Sequence, residues 1–252
     1  LLLLALFGFF TGVISGFFGI GGGTILVPAL MFLGFTIKDA IGISVVQMLM
    51  GSLYGSYVNN KSGLIDLKLI LPIGIGGFIG AIGSSFFIDL VSNRFLETLF
   101  LLFLFYAFYR VLKGRSGKGG EVADFVPPPN YILAGIGSVI GFFAISIGVG
   151  GSLLLVPILV GFFHYNIKKA IATGLFFVIF SSLSGVITFS LSGRIMYEEA
   201  LIIGISSIFG VRVGIWLGSI SSDSFQKTML LSFYLIVALY LSYRLFGDQL
   251  SL

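Results

Sequence analysis

Apolar runs of about 20 residues follow one another along this chain, and a helix of that length is what crosses the hydrocarbon core of a bilayer. The run LETLFLLFLFYAFYRV, residues 96–111, is typical. It does not alternate polar with apolar residues, as the ~10-residue segments of a transmembrane barrel do. Only 10% of the 252 residues are charged, whereas a soluble domain carries about 25%. Such a chain encodes too little polar surface to face water. The expected fold is an all-α polytopic membrane protein, multi-pass in a prokaryotic cytoplasmic membrane, with the lipid bilayer as its principal surroundings.

One segment interrupts this pattern. Residues 16–30, GFFGIGGGTILVPAL, hold five glycines in their first eight positions. A second copy, GFFAISIGVGGSLLLVPIL, occupies residues 141–159. Gly19, Gly21, Gly22, Leu26, Val27 and Pro28 recur 129 residues later as Gly148, Gly150, Gly151, Leu155, Val156 and Pro157. One residue is then inserted and the offset becomes 130. Lys38, Ala40, Ser52, Gly55, Gly63 and Gly74 match Lys168, Ala170, Ser182, Gly185, Gly193 and Gly204. So sustained an offset marks two homologous units. They span 1–114 and 131–252, joined by a polar linker at 115–130 that is expected to be cytosolic. Each unit is expected to hold a glycine-broken helical hairpin plus three transmembrane helices. Thr36 with Asp39 reads as a capping box, and Ser92 as the cap of a later helix. Asn166 and Ser222 stand at the repeat-related positions.

Residues 1–34 as one straight helix would run ~50 Å, too long for a bilayer. Broken backbone inside a membrane must face protein or a wet cavity. A helix that starts there, at Thr24, leaves its first N–H groups free and carries partial positive charge. Glycines before it let an anion approach the backbone without a Cβ in the way. Gly21, Gly22, Gly23 and Thr24 are therefore candidate anion-binding residues, with Gly150, Gly151 and Ser152 in the second copy. The proline after each break is expected where helix starts tolerate it. The competing role for glycine in membrane helices is close packing, and it is assigned to Gly8, Gly12, Gly16, Gly210, Gly214 and Gly218. No Gly-Lys-Ser/Thr follows either cluster, which argues against nucleotide binding.

Three other polar groups lie within apolar spans. Ser44 and Gln47 share one helix face; they either line a cavity or serve helix contacts. Arg212 is the one charged residue well inside a predicted span, where it either balances an anion or snorkels to the interface. Asp66, Asp89, Glu97, Glu198 and Glu199 lie near helix ends and read as surface charges. His164 reads as an interfacial loop residue.

If each broken hairpin enters and leaves on the same side, the two halves are inverted in the membrane. Nine basic residues, among them Lys61, Lys68, Arg110, Lys168 and Lys227, then share one side, while Lys38, Arg94, Arg194 and Arg244 take the other. The positive-inside rule prefers this split to the eight-to-five division of a parallel arrangement. The net charge of +4 is spread over loops, so no nucleic-acid face is expected. There are no cysteines and one histidine, which excludes thiolate chemistry and disfavours a metal site. No nucleophile–base pair stands out, so no enzyme activity and no cofactor are expected.

The doubled glycine segment running into Val-Pro, followed by a helix with Ala40-Ile41-Gly42-Ile43-Ser44, resembles the sulfite exporter TauE/SafE family of membrane permeases. The resemblance covers nearly the whole chain. It implies a carrier for a small sulfur-containing anion such as sulfite, sulfoacetate or another organosulfonate. The family motif is commonly Ala-x-Gly-Thr-Ser. The first half keeps its serine as Ser44. The second half, Ala170-Ile171-Ala172-Thr173-Gly174, keeps its threonine, which adds Thr173 to the candidate residues. A related group of thiosulfate transporters works through cysteines, which this chain lacks. An uptake permease for thiosulfate or another anion, and a permease for a cation or neutral solute, are the alternatives.

Overall fold

The structure is a computed structural model that describes residues 1–113, 128–163, 165 and 167–250, with side chains as far as 245. Most of the expected linker, and the readings of His164 and Asn166, lie outside the described residues. Eleven helices and no strand occur among the described residues. Six spans are long and apolar enough to cross a membrane. They are α3 (Ile37–Lys61), α4 with α5 (Leu67–Ile82 and Ser84–Leu90, interrupted at Gly83), α6 (Asn93–Lys113), α9 (Ile167–Leu191), α10 (Tyr197–Ile220) and α11 (Asp223–Leu250). Four shorter apolar helices complete the set: α1 (Leu2–Phe18), α2 (Gly23–Phe32), α7 (Asn130–Ser146) and α8 (Ser152–Gly161).

Local chemistry accounts for several helix starts. The Asp39 N–H donates to Thr36 Oγ1 at 3.2 Å, and the Thr36 hydroxyl donates back to the Asp39 carboxylate at 2.6 Å. Phe95 N–H donates to Ser92 Oγ, and Phe225 N–H to Ser222 Oγ, each at 3.2 Å. Side-chain oxygens thus satisfy first-turn donors that the helix itself leaves free.

The first helix of each half packs on the other half: α1 along α10, and α7 along α4. Small residues make both approaches possible. Gly8, Gly12 and Gly16 sit directly against the backbone of Ile203, Ser207 and Val211, and Gly210 and Gly214 against that of Phe9 and Val13. Gly76 and Gly80 meet Ala134 and Ser138 in the same way. A Cβ at any of these positions would overlap backbone, so the glycines assigned to packing do pack. Gly218 departs from the series. Its nearest neighbour is the Gln226 side chain, while the Phe17 carbonyl lies at ordinary contact distance.

At the centre α3 and α9 cross each other. Gly42 lies against the Arg194 carbonyl, Gly185 against Val45, and Gly55 against Leu175. Early residues of α3 therefore meet the end of α9, and late ones meet its start, so these repeat-related helices run antiparallel. α2 packs on α3 and α8 on α9. This places both glycine segments beside the middle of the crossing pair.

Candidate functional site

The first break begins where α1 stops. Gly19 takes a left-handed conformation, φ 65°, and its N–H donates to the Ser15 carbonyl at 2.8 Å. α2 then starts behind Gly22. The second break repeats these conformations in order. Gly19, Gly21 and Gly22 have φ of 65°, 81° and 73°; Gly148, Gly150 and Gly151 have 72°, 77° and 88°. A residue with a Cβ resists this region by about 1–2 kcal/mol. The three matched pairs are thus a backbone requirement written twice.

The two breaks touch. Gly23 backs onto the Gly148 carbonyl, and a Cβ on Gly21 would stand 3.4 Å from both the Val149 carbonyl and Ser152 Oγ. Side chains of α3 and α9 close over them. The Gln47 amide covers Gly22, where a Cβ would lie 2.5 Å from its oxygen. Phe177, at the repeat-related position, covers Gly151, and Met48 Sδ lies close to both Gly23 and Gly150. Ser181 donates to the Gly150 carbonyl at 2.8 Å. Ser181 and Met48 had no signal in the repeat, because their partners at the 130-residue offset are Gly51 and Val178.

What remains unpaired defines the chemistry. The N-caps of α2 and α8, Gly22 and Gly151, supply no side-chain hydrogen bond to the helix. Thr24 Oγ1, both amide atoms of Gln47, Ser152 Oγ and Thr173 Oγ1 are buried without a hydrogen-bond partner among the described residues. A buried polar group left so costs about 1–3 kcal/mol. Two helix N-termini meet here, with the Gln47 amide over Gly22 and Ser152 Oγ beside Gly21. That arrangement suits a compact ligand that accepts hydrogen bonds and carries negative charge.

Other expected residues are used differently. The Ser44 hydroxyl is directed at backbone, 2.8 Å from the Ile41 carbonyl and 3.2 Å from that of Gly148. Its one proton is therefore already engaged. Arg212 is exposed on the outer face of α10, among the exposed Phe209, Val213 and Trp216, because the inner face is occupied by the glycines that receive α1. It does not join the breaks. Pro28 and Pro157 are the sixth residues of their helices, not members of the first turn. Each lacks the N–H that would bond the carbonyl four residues earlier, at Thr24 and Leu153. Glu97 is only 8% exposed and pairs with Arg244 at 3.6 Å, so it is no simple surface charge.

Residues 4–241 match the family model described as Sulfite exporter TauE/SafE. The chain is 28% identical over 256 residues to a probable membrane transporter protein of Methanocaldococcus jannaschii, covering 95% of this chain and 94% of that one. It is 28% identical over 239 residues to the probable membrane transporter protein YunE of Bacillus subtilis, covering 84% and 86%. A probable membrane transporter protein of Sinorhizobium is 25% identical over 240 residues, covering 95% and 90%. No solved structure matches the chain.

Proposed function

The chain belongs to the sulfite exporter TauE/SafE family of multi-pass cell-membrane transporters, and from that premise we propose that it carries a small sulfur-containing oxyanion, such as sulfite or an organosulfonate. It is a transporter rather than an enzyme. The observation that carries the substrate reading is the meeting of two uncapped helix N-termini with the unpaired side chains of Gln47 and Ser152 beside them. Each N-terminus adds partial positive charge without a hydrated cation that must be stripped. The glycines Gly21, Gly22, Gly150 and Gly151 put no Cβ between an oxyanion and the backbone N–H groups, while the Gly23 N–H is already held by the Gly21 carbonyl. The side-chain donors fix its orientation. A cation would meet the wrong end of both helices. Arg212 has no place in this reading.

We further infer that the two halves are inverted, each with a re-entrant hairpin and three spans. Two observations support this. The repeat-related α3 and α9 run antiparallel through Gly42–Arg194 and Gly55–Leu175. Lys168 meets Asp223, and Lys169 meets Asp66, at 3.8 Å each, while Arg194 pairs with Asp89. These are the groupings of loops by side that inversion requires. Transporters built from inverted repeats hold substrate at discontinuous helices near the midplane.

The test is flux of labelled sulfite and methanesulfonate across proteoliposomes. Saturable flux is expected. Gln47→Leu removes one hydrogen bond to a charged ligand, about 1.5–3 kcal/mol, and raises KM tenfold or more. Flux equal to that of protein-free liposomes for both anions would overturn the reading.

A further inference from the structure

A second polar region lies apart from the glycine breaks. A cavity of about 80 Å³ opens at the end of the bundle where α3 and α10 finish and α9 and α11 begin. Gly16, Asn59, Lys168, Ile171, Gly218 and Gln226 are among its walls. Its volume suits a small ion and not a drug-sized molecule, which takes ~300–1,000 Å³. Asn59 and Gln226 are 4% and 2% exposed. Asn59 Nδ2 and Gln226 Oε1 find no hydrogen-bond partner among the described residues, although Gln226 Nε2 donates to the Gly218 carbonyl at 3.0 Å. Buried amides so placed call for water or a polar ligand. Exposed Ser62 and Ser219 stand at the rim, with Lys168, whose ammonium lies 3.8 Å from Asp223. On the inner side, Ile171 lies directly against Gly19, the first glycine of the break.

The repeat relates four walls of this cavity to larger, buried residues. The partners of Gly16, Asn59, Gly218 and Gln226 at the 129- and 130-residue offsets are Ile145, Phe189, Ile88 and Leu96. All four are buried members of one hydrophobic cluster. Two more lining residues, Leu64 and Ser219, have Arg194 and Asp89 as partners, and those two form an ion pair. At these positions small and amide residues line the opening, where their repeat partners are large buried apolar residues and an ion pair, although Phe17 and Ile215 have Ser146 and Ser85 as partners.

Resting on the transport reading above, we propose that the Asn59–Gln226 cavity is a hydrated vestibule through which a small oxyanion reaches the breaks, with Lys168 drawing it in and the Phe189 cluster forming the closed gate opposite. Ile171 is the last side chain between vestibule and break. Lys168 is a positioning residue: it concentrates the anion at the mouth and loosens from Asp223 when one arrives.

The chain has no cysteine, so single thiols report access directly. Asn59→Cys and Phe189→Cys proteins, in membrane vesicles of both orientations, are treated with an impermeant maleimide. Asn59→Cys is expected to label from one side only, at least tenfold faster than Phe189→Cys from either side. Methanesulfonate, which does not react with maleimide, is expected to slow that labelling. Lys168→Gln should remove the protection and Lys168→Arg restore it. Gln226→Cys and Leu96→Cys repeat the comparison if either first protein folds poorly by size-exclusion chromatography. Equal labelling of the two cysteines, or labelling untouched by methanesulfonate, overturns the vestibule. Labelling needs no transport. Wild-type vesicles that carry no sulfite while Asn59→Cys labels and is protected would sink the transport reading alone.

Discussion

The Ser44 hydroxyl joins the two halves of the molecule: it lies 2.8 Å from the Ile41 carbonyl of its own helix and 3.2 Å from the Gly148 carbonyl of the second break. Ser181 binds the Gly150 carbonyl from the other side at 2.8 Å. The second break is therefore fastened to both crossing helices through its backbone oxygens. Of its N–H groups, those of Gly148 and Val149 already donate, to the Ile145 and Ala144 carbonyls. Gln47 differs in kind, because neither of its amide atoms is paired among the described residues.

That difference gives opposite expectations for two neighbours on one helix. Ser44→Ala leaves a buried carbonyl short of a donor and should lower stability by about 1–3 kcal/mol, with KM nearly unchanged. Gln47→Leu replaces an unsatisfied amide with apolar volume. It should hold or raise the thermal midpoint while raising KM. Thermal unfolding of the detergent-solubilised proteins, beside flux, reads both. A Ser44→Ala protein of normal stability and weakened affinity would reverse the two roles.

Positive φ and lack of space can be separated at two glycines. Gly63 has φ 66° and a Cβ added there would meet nothing within 4 Å, whereas Gly22 has φ 73° and the Gln47 amide in the way. Gly63→Ala carries only the backbone cost of about 1–2 kcal/mol and should transport normally. Gly22→Ala carries both costs at the site and should lose most flux while still eluting as a folded species. Normal flux by Gly22→Ala would return that glycine to a packing role.

Inversion predicts where two loop serines face. Ser62 follows α3 and Ser192 follows α9, at positions related by the repeat. A single cysteine at Ser62 should label from the cytoplasm and one at Ser192 from outside. Labelling of both from one side would refute the inverted arrangement.

The repeat, the helix breaks and the caps at Thr36, Ser92 and Ser222 were legible in the sequence because each depends on local chemistry. Facing was not. In a soluble helix a polar stripe marks the outside, but in lipid both the core and the outer face are apolar. Nothing in α10 therefore told that Arg212 points outward while Gly210 and Gly214 point in. The pairing of α1 with α10, distant in sequence, was hidden for the same reason. Asn59 and Gln226 gave no signal because a polar amide near a helix end looks like ordinary surface. Only the tertiary structure puts them in one cavity.

Acid sensitivity should trace to one cap. Asp66 accepts from the Leu69 N–H at 3.3 Å and from the Tyr165 hydroxyl at 2.7 Å, and Lys169 lies 3.8 Å away. Burial pushes its carboxyl up, but the Tyr165 hydroxyl, the Leu69 N–H and Lys169 outweigh that and hold it below the ordinary 3.8. A folded-state value lower than the unfolded one means stability that is complete above the unfolded value. It is lost as pH falls through the folded one. The Asp66→Asn protein should be the less stable at neutral pH, and the difference should close in acid. Thermal midpoints measured from neutral to pH of about 3 check this; parallel curves would place the linkage elsewhere.

The driving force follows from which carboxylates are buried. Glu97 is the one buried acid among the described residues, and Arg244 pairs with it away from the breaks. The candidate groups Thr24, Gln47, Ser152 and Thr173 do not titrate near neutral pH. Without a proton carrier at the site, the anion's own charge sets the energetics. The membrane potential is worth about 2.3 kcal/mol per elementary charge per 100 mV. With the cell interior negative, that term drives an anion outward and opposes its uptake. Export then needs no partner ion, whereas accumulation inside would need one. In proteoliposomes with a potassium potential set by valinomycin, sulfite should move toward the positive side and respond little to a pH gradient. Flux that follows the pH gradient and ignores the potential would mean that a proton travels with the anion on a group outside the breaks.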